Sequence, residues 1–310
     1  MGGLVEVTLD DVHAAAGRVG GVLRRTPLVY HGRYRSWFKL EQHQETGAYK
    51  VRGALNAILC QLERGDERPV VAASAGNHGA GVAWAARHVG LKAVIVVPVG
   101  APRVKIETIR SLGAQVVSHG DTFEQSLMWA QACASSRGWR FLHAFDDPDV
   151  IAGQGTIALE LLDLRPDVVA VPIGGGGLAA GMSIVLREAG VRLVGVQVAG
   201  VDAMASHLRG GPDRIHPPQT VADGLRVRES GKLTREICRQ NLSGIELVQE
   251  QQVIETVQSV EELHGWTIEG AAAVTLAALP QIYGERRVAL ITGGNRDALL
   301  PDEIESLVAK

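Results

Sequence analysis

The chain has 310 residues, of which 46% are hydrophobic and 21% are charged, and its formal net charge is −3. This length suits one large domain or two closely associated ones, and the balanced charge is atypical of proteins that bind nucleic acid or a membrane surface. No apolar run approaches the length of a membrane span, and the three isolated cysteines have no metal-ligand spacing. We therefore expect a cytoplasmic protein without nucleic-acid or membrane partners.

Short apolar segments alternate with helix-forming segments along most of the chain. The first set gives predicted strands and helices at residues 70–73, 78–89, 93–97, 103–112, 115–118 and 122–135. The second set continues the alternation at residues 151–164, 168–172, 178–189 and 193–197 and, after an irregular polar region at residues 210–218, at residues 250–263, 270–279 and 288–291. Continuous apolar strands separated by helices are typical of parallel sheets covered on both faces. The sequence therefore predicts an α/β fold with two open, mostly parallel sheets, flanking helices and a cleft between them.

Lys50 lies at a predicted junction between a loop and a helix. A small polar turn that contains Gly47 precedes it, and a helix-forming run from Ala54 to Leu59 follows. Such a junction can aim an amine into a cleft, and an amine kept out of bulk water can form a Schiff base with an aldehyde. Taken alone, however, a single lysine is more often a solvated surface charge.

A turn from Ser74 to Gly79 joins a predicted strand to a predicted helix. Backbone N–H groups at the start of a helix lack internal partners and carry positive potential, so this turn can hold a carboxylate or a phosphate. An ordinary helix cap with a tight turn would need the same residue types. The segment is therefore a moderate signal for an anion site.

Four consecutive glycines, Gly174 to Gly177, follow another predicted strand and open the next helix. Without Cβ atoms, consecutive amides can turn toward one phosphate group. A dinucleotide-binding loop is the strongest alternative, because Gly175, Gly177 and Ala180 fit a loose version of its fingerprint. That fingerprint expects an acidic residue at the end of the next strand, where this chain has Gln197. A site for a single phosphate is favoured.

The segments around Lys50, Ser74 and Gly174, together with the turn from Thr292 to Asn295, resemble in order the motifs of the serine/threonine dehydratase family, which includes serine racemase. The similarity extends from about Thr26 to Asp297. It implies a pyridoxal 5'-phosphate enzyme of fold type II, like the β subunit of tryptophan synthase. The cofactor would lie between a large domain, residues 1–41 and 143–310, and a small mobile domain, residues 42–142.

The resemblance also implies a role for each motif. Lys50 would hold the cofactor and act on the substrate, and Tyr49, in place of the usual phenylalanine, would lie under the cofactor ring. The remaining cofactor contacts would come from Asn77 at the 3-oxygen, from the phosphate loop Gly174, Gly175, Gly176, Gly177 and Leu178, and from Thr292 at the pyridine nitrogen. The substrate contacts would come from Ser74, Ala75, Gly76, Asn77, His78 and Glu269. For Glu269, a glutamate placed to favour a helix dipole is an equal alternative, and the other histidines, including His143, form no convincing set.

Three departures from the family affect the predicted chemistry. Serine racemase has a second serine where this chain has Ala75, so efficient racemisation is not expected. Gln197 and Ala203 stand where the racemase has an acidic pair that binds a divalent cation, and we predict no metal requirement although Asp202 lies between them. The segment from Tyr30 to Phe38 is shorter than usual and replaces a helix of the family.

The predicted reaction follows from Thr292 and the resemblance together. A neutral hydroxyl stabilises a protonated ring nitrogen less than a carboxylate would, which suits loss of a β-substituent. We predict β-elimination of a small β-hydroxy amino acid, L-threonine or L-serine first, to a 2-oxo acid and ammonia, in a homodimer or higher homo-oligomer. The alternatives are β-replacement of the cysteine synthase kind, racemisation, a nucleotide-binding protein without pyridoxal phosphate, and a homologue that has lost activity.

Overall fold

A computed structural model describes residues 6–296. Its helices are α1 (Leu9–Val19), α2 (Lys50–Glu63), α3 (Asn77–Val89), α4 (Arg103–Ser111), α5 (Phe123–Arg137), α6 (Pro148–Leu159), α7 (Gly177–Glu188), α8 (Ala203–Leu208), α9 (Lys232–Asn241), α10 (Glu250–His264) and α11 (Gly270–Ala278). Its strands are β1 (Leu28–His31), β2 (Ser36–Leu40), β3 (Val70–Ala73), β4 (Ala93–Val97), β5 (Gln115–Ser118), β6 (Arg140–Phe141), β7 (Val168–Pro172), β8 (Arg192–Val198), β9 (Gly244–Val248) and β10 (Arg287–Ile291).

The strands form two sheets. The larger has the order β1-β2-β10-β7-β8-β9, with only the β1–β2 pair antiparallel, and the smaller has the all-parallel order β5-β4-β3-β6. Every residue of β3, β4 and β7 is buried, as expected for apolar strands covered by helices on both faces. The predicted α/β fold with two mostly parallel sheets is confirmed.

The smaller sheet lies entirely within residues 42–142, but the proposed domain boundaries themselves stay a prediction. The end of the family resemblance at Asp297 lies outside the described residues. Within residues 6–296, none of the helices combines the length and apolar character needed to cross a bilayer. The cytoplasmic location also stays a prediction.

Several elements differ from the sequence expectation. The segment from Tyr30 to Phe38 forms the turn and flanks of the antiparallel β1–β2 hairpin, where Arg35 has a positive φ of 47°. The helix predicted at residues 151–164 instead begins at Pro148, because the Asp147 side chain accepts a hydrogen bond from the Val150 amide at 3.0 Å and caps it. It ends at Leu159, ahead of a separate 3-10 turn. The elements α1, α8, α9, β1, β2, β6 and β9 were not predicted from the sequence.

Glycines let α6 pack in direct backbone contact with two other helices. A Cβ atom on Gly153 would lie 2.7 Å from the Cα atom of Gly53 in α2, and one on Gly181 in α7 would lie 2.1 Å from the Ile151 carbonyl oxygen. Any side chain at these positions would push the helices apart. Because Lys50 begins α2 and the glycine loop leads into α7, this packing places the two motifs relative to each other.

A buried group of charges joins α2 and the end of α6 to β2. The Arg52 guanidinium donates to both carboxylate oxygens of Glu41 at 2.8 Å and to Glu160 at 2.6 Å. Lys39 also bonds to Glu160, and the Arg52, Glu41 and Lys39 side chains are at most 2% exposed. The carboxylates raise the pKa of Arg52 despite its burial. The first turn of α2 is thereby tied to the end of β2 and to the end of α6.

We predict that Gly181→Ala lowers the free energy of unfolding by about 3 kcal/mol, because the new methyl group would force α7 away from α6. Gly17→Ala is the matched control. Gly17 lies in α1 with open space around it, so its alanine variant should be neutral or more stable by about 0.5–1 kcal/mol. Urea unfolding of both variants without cofactor, followed by circular dichroism, measures the difference. Equal stabilities would contradict the packing argument.

Candidate active site

A cleft of about 560 Å³ lies between the two sheets, and residues from both sides line it. Its lining includes every candidate residue proposed from the sequence: Tyr49, Lys50, Ser74, Ala75, Gly76, Asn77, His78, Gly174, Gly175, Gly176, Gly177, Leu178, Glu269 and Thr292. These residues come from the start of α2, the turns that follow β3, β7 and β10, and the segment before α11. The structure brings them together, and the role of each residue stays a prediction.

Lys50 is partly buried in this cleft. Its Nζ donates to the Ala144 carbonyl oxygen at 2.9 Å and lies 5.3 Å from the centroid of the Tyr49 ring. Burial lowers the pKa of Lys50 to about 8, although the nearby Glu269 carboxylate opposes the shift. An amine with this pKa is partly neutral near pH 7, as required for attack on an aldehyde or for removal of a proton.

Two histidines with lowered pKa lie near Lys50. His78 is buried, its Nε2 lies 3.2 Å from the Leu142 carbonyl oxygen, and burial lowers its pKa to about 3. The Nδ1 of His143 accepts a hydrogen bond from the Asp146 amide at 2.9 Å, and burial lowers the pKa of His143 as well. The sequence analysis did not include His143 in the site. His143 is not among the residues that line the cleft, but both histidines lie close enough to Lys50 for its charge to lower their pKa further.

Asn77, Glu269 and Thr292 form a hydrogen-bonded group in the cleft. The Asn77 Nδ2 donates to Glu269 Oε2 at 2.7 Å, and the Thr292 Oγ1 donates to Glu269 Oε1 at 3.5 Å. Burial raises the pKa of Glu269 to about 7, against the effect of these hydrogen bonds. The Glu269 side chain makes no capping hydrogen bond to α11. Its carboxyl group therefore faces the cleft. From the sequence, a glutamate that serves only the helix dipole had been an equal alternative.

The sequence analysis named Asn295 as the end of the Thr292 turn but did not propose it as a site residue. It lines the cleft, and its Nδ2 donates to the Asn77 Oδ1 at 2.9 Å and to the Thr46 carbonyl oxygen at 2.6 Å. A polar residue in a turn gives no sign of such partners in the sequence, because Asn77 is 218 positions away. The structure adds Asn295 to the residues around Asn77.

The glycine loop presents free backbone amides. The amides of Gly174, Gly175 and Gly176 donate no hydrogen bond to any described residue, whereas the Gly175 carbonyl oxygen accepts from the Thr234 Oγ1 at 2.7 Å. Gly176 has a φ of +98°, which favours glycine, and immediately precedes α7. A Cβ atom on Gly175 would lie 2.3 Å from the Phe145 ring. Unpaired amides at a helix N-terminus, in a loop that excludes side chains, fit the phosphate group of a cofactor.

The turn after β3 offers a second set of amides. The Ser74 Oγ accepts a hydrogen bond from the Gly76 amide at 3.1 Å, which holds the turn. The amides of Ala75 and Asn77 have no acceptor among the described residues. They lie on the side of the cleft opposite the glycine loop, so two separate anionic groups could be held at once.

Gln197 has a structural role at the position where the resemblance placed a cation ligand in serine racemase. Its Nε2 donates to the Ile173 carbonyl oxygen at 3.0 Å and its Oε1 accepts from the Ala205 amide at 2.9 Å. Asp202 is paired with Arg209 at 2.9 Å. Residues 6–296 contain no group of three or more side chains suited to hold a metal ion. The absence of a metal requirement stays a prediction.

Comparison with known proteins agrees with this geometry. A family model described as pyridoxal-phosphate dependent enzyme matches residues 19–294. The L-threonine ammonia-lyase of Thermotoga maritima is 38% identical over 96% of this chain and 78% of its own length. A threonine deaminase from T.th. superposes with a TM-score of 0.88 and 34% identity, covering 94% of this chain and all of that chain. A pyridoxal 5'-phosphate-dependent aspartate racemase superposes with a TM-score of 0.87 and 32% identity, covering 99% of this chain and all of the other.

The family match covers both sheets and every cleft residue proposed from the sequence, and it favours pyridoxal phosphate over the dinucleotide alternative for the glycine loop. The cofactor and the fold type that the sequence motifs implied are confirmed. This chain belongs to the family of pyridoxal-phosphate-dependent enzymes.

Proposed function

We propose that this protein catalyses the pyridoxal-phosphate-dependent β-elimination of L-threonine or L-serine, with release of a 2-oxo acid and ammonia. The observation that carries the proposal is the convergence of Lys50, Asn77, the glycine loop and Thr292 on one cleft. The similarity to L-threonine ammonia-lyase and threonine deaminase supports the substrate class. A homodimer or higher homo-oligomer stays a prediction.

Each contact to the cofactor would use a different part of the cleft. The amides of Gly174 to Gly176 and the start of α7 would hold the phosphate, and Leu178 would lie behind it. The Asn77 amide would face the 3-oxygen, Tyr49 would lie under the ring, and the Thr292 hydroxyl would face the ring nitrogen. When bound, pyridoxal phosphate supplies an electron sink for the substrate Cα. The Lys50 Nζ would hold the cofactor and then take the proton from the substrate Cα.

The turn after β3 would hold the substrate carboxylate. The amides of Ala75 and Asn77 have no other acceptor among the described residues, and the Ser74 side chain keeps the turn in shape. His78 is uncharged and adds no positive charge to this turn, whose amides lie at the start of α3.

Ala75 supports elimination over racemisation. It contributes only a methyl group to the cleft, so this position has no hydroxyl to exchange a proton on the face opposite Lys50. The neutral Thr292 hydroxyl supports the same conclusion, because it stabilises a protonated ring nitrogen less than a carboxylate would. The similarity to an aspartate racemase concerns the fold and the cofactor. It does not change the fact that Ala75 has no hydroxyl.

A substrate panel assayed for 2-oxo acid and ammonia tests the proposed reaction. We expect turnover of L-threonine or L-serine, and we expect Lys50→Ala to lower it by about 10²- to 10⁴-fold, as for loss of a general base. Lys92→Ala is the matched control, since Lys92 is exposed at the start of β4 and away from the cleft. Lys50→Ala should also lose the absorbance of the lysine-bound cofactor.

Two results would contradict the proposal. A wild-type protein that binds cofactor but releases no ammonia from any β-hydroxy amino acid would exclude the dehydratase reaction. Adding sulfide or an amine donor to the same assay separates elimination from β-replacement, which would give a new amino acid and no 2-oxo acid. Retained absorbance and turnover in Lys50→Ala would exclude Lys50 as the cofactor lysine.

The lowered pKa of Lys50 predicts how cofactor uptake depends on pH. Only the neutral amine attacks an aldehyde, so the rate of uptake should rise with pH around a midpoint of about 8, below the usual lysine value of about 10.4. Glu269→Gln removes the carboxylate that raises this pKa and should move the midpoint lower. Stopped-flow absorbance of the apoprotein mixed with pyridoxal phosphate measures both midpoints. A midpoint near 10 in the wild type, or no shift in Glu269→Gln, would contradict this electrostatic account.

A further inference from the structure

The Asn77 amide is held from both of its ends. Its Oδ1 accepts from the Asn295 Nδ2 at 2.9 Å, and its Nδ2 donates to the Glu269 Oε2 at 2.7 Å. The two ends of a side-chain amide have nearly the same shape and opposite hydrogen-bonding character. Only its partners therefore decide which end faces the cleft.

Asn295 determines that choice because both of its amide hydrogens are in use. One points to the Thr46 carbonyl oxygen at 2.6 Å and the other to the Asn77 Oδ1. The Asn295 Nδ2 can only donate, so Asn77 must offer it an oxygen. The Nδ2 of Asn77 is then left for Glu269 and for a group in the cleft.

The turn before Lys50 is shaped to accommodate Asn295. A Cβ atom on Gly47 would lie 2.6 Å from the Asn295 Oδ1, and Gly47 has a φ of +69°. Thr46 has a φ of +65°, which is rare for a β-branched residue, and its carbonyl oxygen is the one that Asn295 binds. Such a conformation persists only where the surroundings hold it.

Backbone bonds reinforce the same contact. The Gly294 amide donates to the Gly47 carbonyl oxygen at 3.0 Å, and the Tyr49 amide donates to the Thr292 carbonyl oxygen at 3.0 Å. The segment that carries Asn295 therefore runs beside the segment that leads to Lys50. A single side chain connects the Lys50 turn to the start of α3.

We propose that Asn295 is a positioning residue that orients the Asn77 amide, so that its Nδ2 faces the 3-oxygen of the cofactor. This inference rests on the proposed function, because it takes the cofactor contact of Asn77 from there. Asn295 acts through Asn77 and needs no contact with the reacting atoms.

A double-mutant cycle tests this dependence. The dissociation constant of pyridoxal phosphate is measured by absorbance titration of the apoprotein for the wild type, Asn295→Ala, Asn77→Ala and the double variant. Each single variant should bind the cofactor about tenfold more weakly, the effect of losing one good hydrogen bond. The double variant should bind no more weakly than Asn77→Ala. Asn295→Ala should also shift the absorbance maximum of the bound cofactor in the same direction as Asn77→Ala.

Further variants separate positioning from folding. Asn295→Asp cannot donate to Asn77 and should weaken cofactor binding at least as much as Asn295→Ala. Asn241→Asp, at the end of α9, introduces the same charge outside the cleft and should bind cofactor normally. Unfolding midpoints of the apoproteins show whether each variant folds. If Asn295→Ala does not fold, Asn295→Ser replaces it, because serine keeps one hydrogen-bond donor. Asn295→Ser should lose less cofactor affinity than the tenfold expected for Asn295→Ala. Combined with Asn77→Ala, it should bind no more weakly than Asn77→Ala alone.

Three outcomes would overturn the inference. One is cofactor affinity within twofold of the wild type in Asn295→Ala. Another is a double variant weaker by the product of the two single effects, about a hundredfold, which would mean that Asn295 acts independently of Asn77. The third is a wild type that takes up no cofactor. That result would remove the proposed function itself, and it is recognised before any variant is measured.

Discussion

The backbone contact between α6 and its two neighbouring helices is the constraint on which the rest of the site depends. Lys50 and the glycine loop begin different helices, α2 and α7, and lie on opposite sides of the cofactor cleft. Both helices touch α6 at glycines, so their separation is set by backbone atoms with no side chain between them. A catalytic amine and a phosphate site can then be held at a fixed spacing without any direct contact between them.

The buried charges around Arg52 fix the orientation of α2, in addition to the spacing set by the glycines. A buried ion pair contributes little net stability, because taking both charges out of water is costly, but its geometry is demanding. Arg52 lies two residues after Lys50 and binds Glu41 and Glu160, which belong to different parts of the fold. A rotation of α2 about its axis would break these bonds. The direction in which Lys50 points is thereby linked to a polar cluster outside the cleft.

The parts of this arrangement that were predictable from the sequence are those with local causes. Apolar runs such as β4 and β7, and glycines at strand ends, carry their own physical signal, and they indicated the fold and the two candidate anion-binding turns. The roles of Lys50, Glu269 and Thr292 were predicted only from the family resemblance. The strands β1 and β9 are only partly buried, and the buried strand β2 contains Ser36 and Lys39, so these strands lack the continuous apolar runs of β4 and β7. Asn295 could not be assigned because its importance lies in partners that are distant in the sequence. The orientation of the Asn77 amide exists only in the folded chain.

Phe145 gives the glycine loop a second reason for its composition. Its ring lies where a Cβ atom on Gly175 would be, and its backbone lies 2.8 Å from where one on Gly177 would be. The two glycines belong to the proposed phosphate site, and their lack of side chains also leaves the space into which Phe145 packs. Among natural relatives, a larger residue at position 175 is expected only together with a smaller one at position 145. These positions should change as a set during evolution, although they lie thirty residues apart.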